Sequence, residues 1–475
     1  MGREKVASDA GGRGYAALYL ALLSILLCFV VSVLYVHSFG VNVFFADEWD
    51  LVPLLRESHA GTLGATDLFA RHNEHIYLFP WGLMLLLGPM TNYDTVPFMY
   101  AVQFCFLLTS IVLLLAFSQD AKDRSRAYFL LFLPVPFLVF TLRQYENMLW
   151  GNQVSFGLAQ SFSVLALYAL HGSLGAGLAK RAGVFSAAVL CATVATFSAA
   201  QGLMVWPAGL LVLIVSSLNR MAKGVLAASW ALLGLVEWIL YSVGYDKPKG
   251  VPSVLYAVGH PLEGLRYFAT LLGSALFWND AFAFWVGLML LFFTAIGLLM
   301  LARRHKIEGS SFWVSLLAFS FLSMALITAG RSGFPDEAFF AQPTASRYAT
   351  FSVPAVAALY ALFVKLVWQR KSTVASAVFG VVLVLVLVSV PISYQKGLAS
   401  GELTKVSRKR AASIIIDYRS QPASALLIFG WDPQRVRRYA RVLDRLDQSI
   451  FAGIPDPNGR DDRRPQPSTT QARDD

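Results

Sequence analysis

The chain has 475 residues, of which 56% are hydrophobic and only 14% are charged, and its formal net charge is +10. Soluble domains carry about 25% charged residues, so this composition excludes a soluble enzyme. The basic residues lie in short connections between apolar runs, as the positive-inside bias of membrane proteins predicts, and form no stripe that would bind nucleic acid. We therefore predict an all-α polytopic membrane protein.

Apolar runs long enough to cross a bilayer as helices recur along the chain. Basic residues in alternate connections place the N-terminal segment, 1–14, in the cytoplasm. The apolar stretch 76–90 is too short to span, and we expect it to lie at or dip into the outer interface. Pro134 and Pro136 should kink the third span. The eleven predicted spans are 15–36, 97–117, 126–141, 153–171, 183–199, 203–218, 224–243, 281–302, 311–329, 348–368 and 373–393.

These spans define a transmembrane domain over 15–393, whose first outer loop, 37–96, contains juxtamembrane helices and most of the candidate chemistry. A small extracytoplasmic tail is predicted over 394–454, with helical periodicity over 433–451. Residues 455–475 are rich in Asp, Arg and Pro, which predicts disorder.

The first outer loop opens with Asp47, Glu48 and Asp50, three carboxylates within four residues beside aromatic side chains. A carboxylate held at the membrane surface could take a proton from a hydroxyl or amine nucleophile, or hold a cation. The alternative is a solvated helix start, because the helix dipole favours acidic residues in the first turn.

The same loop continues with His72, Asn73, Glu74 and His75. In a helix, the two histidines would share a face beside Glu74, where they could bind a phosphate or, with Asp47, a divalent metal. A divalent metal is the one cofactor that these residues suggest. The alternative is a polar helix cap before the apolar segment.

The second outer connection interleaves Arg143, Tyr145, Trp150 and Gln153. Aromatic rings stack on sugars and amides bind their hydroxyls, so this segment suits a sugar or phosphosugar. The alternative is the interfacial belt of Trp and Tyr found in most membrane proteins.

The fifth outer connection contributes Arg331 and Arg347, which with Arg143 are the outer cations nearest the span ends. If these helices pack together, the three guanidinium groups can converge on one phosphate. The alternative is snorkelling to the interface, or pairing of Arg331 with Asp336 or Glu337.

The order of these parts resembles the GT-C superfamily of integral membrane glycosyltransferases, which includes protein O-mannosyltransferases and the lipid A aminoarabinose transferase. Asp47 and Glu48 match the acidic pair early in that family's first outer loop, and the segment from His72 to Pro80 matches its approach to a juxtamembrane helix. The architecture matches over residues 1–393. The family's usual His-Pro or Pro-Pro step is absent here.

The resemblance implies inverting transfer of a sugar from a polyprenyl-phosphate donor to a lipid, glycan or protein acceptor, at the outer face of a bacterial inner membrane. Asp47 would deprotonate or orient the acceptor, with Glu48, Asp50 and Glu74 as the other catalytic candidates. Cations would offset the charge on the leaving lipid phosphate.

Two other functions stay open. The chain could be a transporter or flippase of a polar lipid, with Glu237 and the outer arginines along its pathway, or a non-catalytic membrane component of polysaccharide assembly. A transporter should place its functional polar groups at mid-membrane depth. Here they crowd one face, which favours an enzyme.

Overall fold

The computed structural model describes residues 2–120, 126–246, 252–303, 307–335, 338, 341–369 and 372–454. The predicted tail 455–475 lies outside these residues. The described chain is helical almost throughout, and the one sheet within it is a two-stranded hairpin. Helices satisfy every backbone N–H and C=O within one segment, as hydrocarbon surroundings demand. The prediction of an all-α polytopic membrane protein is confirmed.

Ten helical stretches of the described chain are long and apolar enough to cross a membrane, one fewer than predicted. The predicted span 203–218 is the difference: its apolar helix covers only Ala200–Ile214. This shorter segment still runs from the hairpin, where Ala200 donates to His75, to the other end of the bundle, where Ser217 donates to Glu308. The ten stretches are Ala16–Phe39, Val96–Asp120, Tyr128–Met148, Gly151–Leu174, Leu178–Thr196, Arg220–Ser242, Asp280–Arg303, Glu308–Arg331, Ser346–Trp368 and Thr373–Ile416.

The secondary-structure elements follow one another with short connections. The helices α1 to α19 are Gly2–Phe39, Leu51–Ala60, Ala65–Leu68, Leu78–Thr91, Val96–Asp120, Pro134–Val139, Tyr145–Met148, Val154–Leu174, Leu178–Thr196, Val205–Ile214, Arg220–Ser242, Tyr256–Gly259, Pro261–Gly273, Asp280–Arg303, Ser311–Arg331, Ala349–Gln369, Thr373–Ile416, Ala423–Leu426 and Pro433–Arg445. The strands β1 and β2 are Arg71–His72 and His75–Ile76.

Two sequence predictions concern the proline-containing third span and the short apolar stretch 76–90. The third span changes from a 3-10 helix to α6 at Pro134, so its helix is interrupted at the place where the prolines predict a kink. The apolar stretch predicted to be too short to span forms α4, with 14 residues. At about 1.5 Å per residue, a helix of that length falls short of a hydrocarbon core about 30 Å thick.

Helix α17 is longer than the sequence predicts. It continues from Thr373 to Ile416 through Pro391, so the predicted boundary between span and tail at 393 lies inside a helix. Gly397 and Gly401 permit its close packing: a Cβ atom at Gly397 would lie 2.3 Å from Cβ of Leu142. The second half of α17 thereby extends beyond the apolar run, beside the first outer loop.

After α17 the chain folds back as a small unit that we call the cap, residues Ala423–Phe451. Helix α19 confirms the predicted tail helix as far as Arg445, and its residues Val436, Ala440 and Leu443 are buried. Asp447 then adopts a left-handed conformation and ends the helical path. The cap lies against the first outer loop, where Phe429 packs edge-to-face on Trp49 at 5.6 Å.

Candidate active site

A cavity of about 870 Å³ opens where the first outer loop meets α15, α16 and the second half of α17. Nine of the thirteen predicted site residues line it, namely Asp47, Asn73, Glu74, His75, Tyr145, Trp150, Gln153, Arg331 and Arg347. Glu48, Asp50, His72 and Arg143 do not. Lining residues that the sequence analysis did not select include Tyr77, Glu146, Tyr348 and Arg408.

The acidic turn is a 3-10 helix, Ala46–Asp50. Such a helix has three residues per turn, so Asp47 and Asp50 project from one side and Glu48 from another. The Asp47 side chain is 35% exposed and reaches the cavity. The sequence predicts an acidic surface here, and the helix geometry separates its members.

Glu48 is a structural carboxylate. It is buried, and it accepts hydrogen bonds from the amides of Phe45 at 2.9 Å and Asn152 at 3.2 Å. Burial raises the pKa of Glu48 to about 7. The side chain ties the first outer loop to the segment before α8, and its predicted place among the catalytic carboxylates is wrong because it faces the protein interior.

The segment with the two histidines is a β-hairpin, so the prediction that they share a helix face is wrong. His72 and His75 are directly opposed partners of β1 and β2. The turn between them needs a positive φ, and Asn73, at φ 53°, tolerates that conformation. The turn directs Glu74 towards α15, where it pairs with Arg331.

His72 lies behind the cavity wall between two carboxylates. Its Nδ1 atom is 2.6 Å from Asp50 and its Nε2 atom is 3.6 Å from Asp47. Burial opposes a charge on the ring, but the bonds and charges of both aspartates outweigh it and raise the pKa of His72 to about 9. Burial also tends to raise the pKa of Asp47, yet His72 holds it below its ordinary value. At neutral pH Asp47 is therefore an ionised, proton-accepting group.

His75 has a different role from His72. Burial lowers its pKa to about 4, so the ring is neutral at pH 7. Its Nδ1 atom accepts a hydrogen bond from the amide of Ala200 at 3.1 Å. This bond links the hairpin to the segment before α10 and leaves the ring against the cavity.

The three arginines of the cavity differ in their partners. Arg331 pairs with Glu74, and Arg347 lies 3.4 Å from Glu146. Arg408 packs over the ring of Phe45 and forms no ion pair within the described chain, although the carboxylates of Glu48 and Glu146 lie near enough for their charges to act on it. A cation without a fixed anionic partner is available to an anionic ligand.

Arg143 does not join the other two predicted arginines, and the prediction of a shared site for these three is wrong for this residue. It is 1% exposed, its guanidinium lies 4.6 Å from the ring of Trp278, and it donates to the carbonyl of Thr344. The short helical turns after Thr141 aim it between helices, away from the cavity.

Two polar atoms of the cavity wall have no hydrogen-bond partner among the described residues. They are Nε1 of Trp150 and Oε1 of Gln153, both shielded from bulk solvent. A buried donor or acceptor without a partner costs about 1–3 kcal/mol.

The predicted metal ligands are divided among other partners. Glu74 pairs with Arg331, His75 accepts from a backbone amide, and His72 bridges two aspartates. Within the described chain no group of three or more His, Cys, Asp or Glu side chains is arranged to hold a metal ion. The arrangement of these residues therefore does not fit the divalent metal that the sequence analysis suggests.

An apolar cleft of about 260 Å³ adjoins the cavity and shares Glu74, Arg331 and Tyr348 with it. The remaining wall is mostly apolar and comes from helices α11 and α15 and from the segments before α10 and α12. Its members include Leu203, Met204, Trp238, Val254, Leu326 and Ile327. The two spaces together place charged groups at the end of an apolar channel.

Glu237 is not part of either space. It accepts from Thr193 at 2.6 Å and from the indole of Trp206 at 3.0 Å. These bonds join α9, α10 and α11, so the carboxylate holds helices together within the bundle.

The residues that the sequence analysis missed had weak signals. Glu146 stands within the aromatic segment already selected, next to Tyr145. Arg408 lies 15 residues beyond the predicted end of the last span, and only the unbroken continuation of α17 brings it to the cavity.

Comparison with known proteins offers one relative. An alignment 209 positions long, which covers 41% of the chain, is 26% identical to an uncharacterised protein of Archaeoglobus fulgidus. The chain spans about half the length of that relative, 52%. No family model and no solved structure matches the chain. Function must therefore be argued from the cavity itself.

Proposed function

We propose that this protein is a membrane glycosyltransferase that moves a sugar from a polyprenyl-phosphate donor to a lipid, glycan or protein acceptor on the outer face of the membrane. One observation carries the proposal: an ionised carboxylate, Asp47, shares a cavity with the cation of Arg408, which forms no ion pair in the described chain, beside an apolar cleft. The cation and the cleft match the phosphate and the polyprenyl chain of such a donor, and the carboxylate matches the base that activates the acceptor.

The donor phosphate needs a cation, and the polyprenyl chain needs an apolar surface. Arg408 supplies the cation, supported by the positive ends of the Arg331–Glu74 and Arg347–Glu146 pairs. The apolar cleft suits the isoprenoid chain. Trp150 and Gln153 add an aromatic ring and an amide side chain to the cavity wall, which are groups that suit a sugar.

The reaction that this arrangement supports is a direct displacement. Asp47 takes the proton of the acceptor O–H or N–H, and the acceptor atom forms a bond to the anomeric carbon. The bond from that carbon to the phosphate oxygen breaks, and its electron pair leaves with the lipid phosphate, whose charge Arg408 offsets. Attack opposite to the leaving group inverts the anomeric configuration.

Binding of undecaprenyl phosphate to the purified protein in nanodiscs tests the donor site. A charge-assisted bond contributes about 1.5–3 kcal/mol, so Arg408→Gln should weaken binding by about tenfold or more. The control is Arg410→Gln, an exposed residue of the same helix. Undecaprenol, which lacks the phosphate, should bind both variants equally.

Equal affinity of Arg408→Gln and wild type for undecaprenyl phosphate would contradict the donor site. Turnover is measured with a panel of radiolabelled undecaprenyl-phosphate hexoses, with cell-envelope membranes as the source of acceptor, as release of the lipid phosphate. Movement of the lipid across proteoliposomes, without loss of the sugar from any donor, would instead support the transporter that the sequence leaves open.

A further inference from the structure

Two polar contacts join the cap to the acidic turn, in addition to the packing of Phe429 on Trp49. The indole Nε1 of Trp431 donates to the carbonyl of Ala46 at 2.7 Å, and Arg435 Nη2 lies 2.6 Å from Oδ1 of Asp50. Ala46 has a φ of 45°, a conformation that most side chains avoid, so the Trp431 bond supports a strained residue directly before Asp47.

The contact at Asp50 continues inward to the cavity. Asp50 binds Arg435 with one carboxylate oxygen and His72 with the other, and His72 in turn faces Asp47. Arg435 is itself held in place, with its guanidinium 3.9 Å from the ring of Trp431. An unbroken series of charged groups thus runs from the cap to the cavity.

We propose that Arg435 is a positioning residue, which acts through Asp50 and His72 to hold Asp47 in the orientation that takes a proton. The cap would then be part of the site as well as a cover over it. This inference rests on the proposed function, because it assigns Asp47 the role of proton acceptor.

The physical reason lies in the two oxygens of Asp50. When both are occupied by fixed donors, the carboxylate cannot rotate, and the His72 ring that it binds keeps one orientation. His72 then presents Nε2 to Asp47. Without Arg435, Asp50 can turn towards solvent, since its side chain is already 17% exposed.

The charged groups around Asp47 define its pH response. It is faced by the charged ring of His72, by the ring of His75, which is neutral at pH 7, and by the guanidinium of Arg347 in the turn before α16. Loss of the cation at His72 should make Asp47 easier to protonate. In His72→Gln, the acid limb of the turnover profile should therefore move to higher pH.

The test compares Arg435→Gln and Arg435→Lys in the full chain in nanodiscs. The matched control is Arg441→Gln, an exposed residue of α19. We expect Arg435→Gln to lower donor turnover by about tenfold or more, the scale for outer partners of a site, while its affinity for undecaprenyl phosphate stays unchanged. Arg435→Lys keeps the charge and should recover part of the loss.

A second measurement does not depend on turnover. In 15N-histidine spectra, with the His72 signal assigned by its loss in His72→Gln, the Nδ1 proton should exchange with water faster in Arg435→Gln than in Arg441→Gln. The same exchange rate and turnover in both variants would overturn the inference. Absence of turnover in the wild type with every donor would contradict the proposed function alone, since the exchange rates still report on the link from Arg435 to His72.

Discussion

Neighbouring carboxylates have different fates in the acidic turn. Glu48 faces inward and accepts hydrogen bonds from backbone amides, and Asp50 binds His72 and Arg435. Of these three carboxylates, only Asp47 reaches the cavity. The three side chains have similar chemistry, so their directions from one short 3-10 helix decide their roles. Changes of a single atom at these positions should therefore give distinct effects.

Asp47→Asn removes the charge and the base but keeps the size and hydrogen-bonding capacity of the side chain. We expect donor turnover to fall by about 100-fold or more, the scale for loss of general-base help. Turnover of undecaprenyl-phosphate hexoses measures it. Glu57→Gln, on α2 outside the cavity, is the control. If Asp47 only started a helix, Asn would serve equally and turnover would stay normal.

His72 should make stability depend on pH. Its pKa is about 9 in the folded chain against an ordinary value of 6.5, which corresponds to about 3 kcal/mol. Because the folded pKa is raised, this stabilisation is complete below pH 6.5 and is lost as the pH rises through 9. The difference in melting temperature between wild type and His72→Gln should therefore shrink from pH 6.5 to 9.5. A constant difference would contradict the charged state of His72.

At the scale of elements, the hairpin and α17 build the site from segments far apart in sequence. The hairpin is anchored by Arg71, which donates to carbonyls at the end of α11. Helix α17 is anchored by Ser393 and Gly397: the Ser393 hydroxyl accepts from the amide of Arg143 at 3.1 Å, and the Gly397 carbonyl accepts from Tyr35. These bonds hold Glu74 of the hairpin and Arg408 of α17 at the cavity.

Gly397→Ala should disturb α17, because its Cβ atom would overlap Leu142 and overpacking costs about 1–3 kcal/mol. We expect a lower melting temperature and weaker binding of undecaprenyl phosphate, since Arg408 moves with the helix. Gly380→Ala is the matched control, since its Cβ atom meets nothing within 4 Å. Equal effects of both substitutions would show that the contact with Leu142 does not position the helix.

At the scale of the whole molecule, polar groups gather at two ends of the bundle. One end holds the cavity and the cap. The other holds a buried ion pair, in which Lys365 lies 2.5 Å from Asp120, and the indole of Trp313 donates to the same carboxylate at 2.9 Å. That pair joins the ends of α5, α15 and α16 and stabilises the bundle away from the cavity.

The loop charges predict which end faces the cytoplasm, and cysteine labelling measures it. Gly64→Cys and Glu402→Cys should react with a membrane-impermeant maleimide in intact cells. Gly177→Cys and Met221→Cys should react only after the membrane is permeabilised. The opposite pattern would place the cavity in the cytoplasm and contradict an acceptor on the outer face.

The apolar content and charge deficit determined the helical membrane fold, because hydrocarbon admits few backbone conformations. Local composition also determined most of the cavity, since Asp47, Glu74 and the Tyr145–Gln153 segment concentrate polar and aromatic groups just outside the spans. Sequence could not separate Asp47 from Glu48, nor reveal the hairpin at His72, because side-chain direction depends on the backbone turn. Only the tertiary structure shows that Arg408, and not Arg143, lines the cavity, and that Asp50 connects Arg435 to His72. Both results depend on how segments distant in sequence pack against one another.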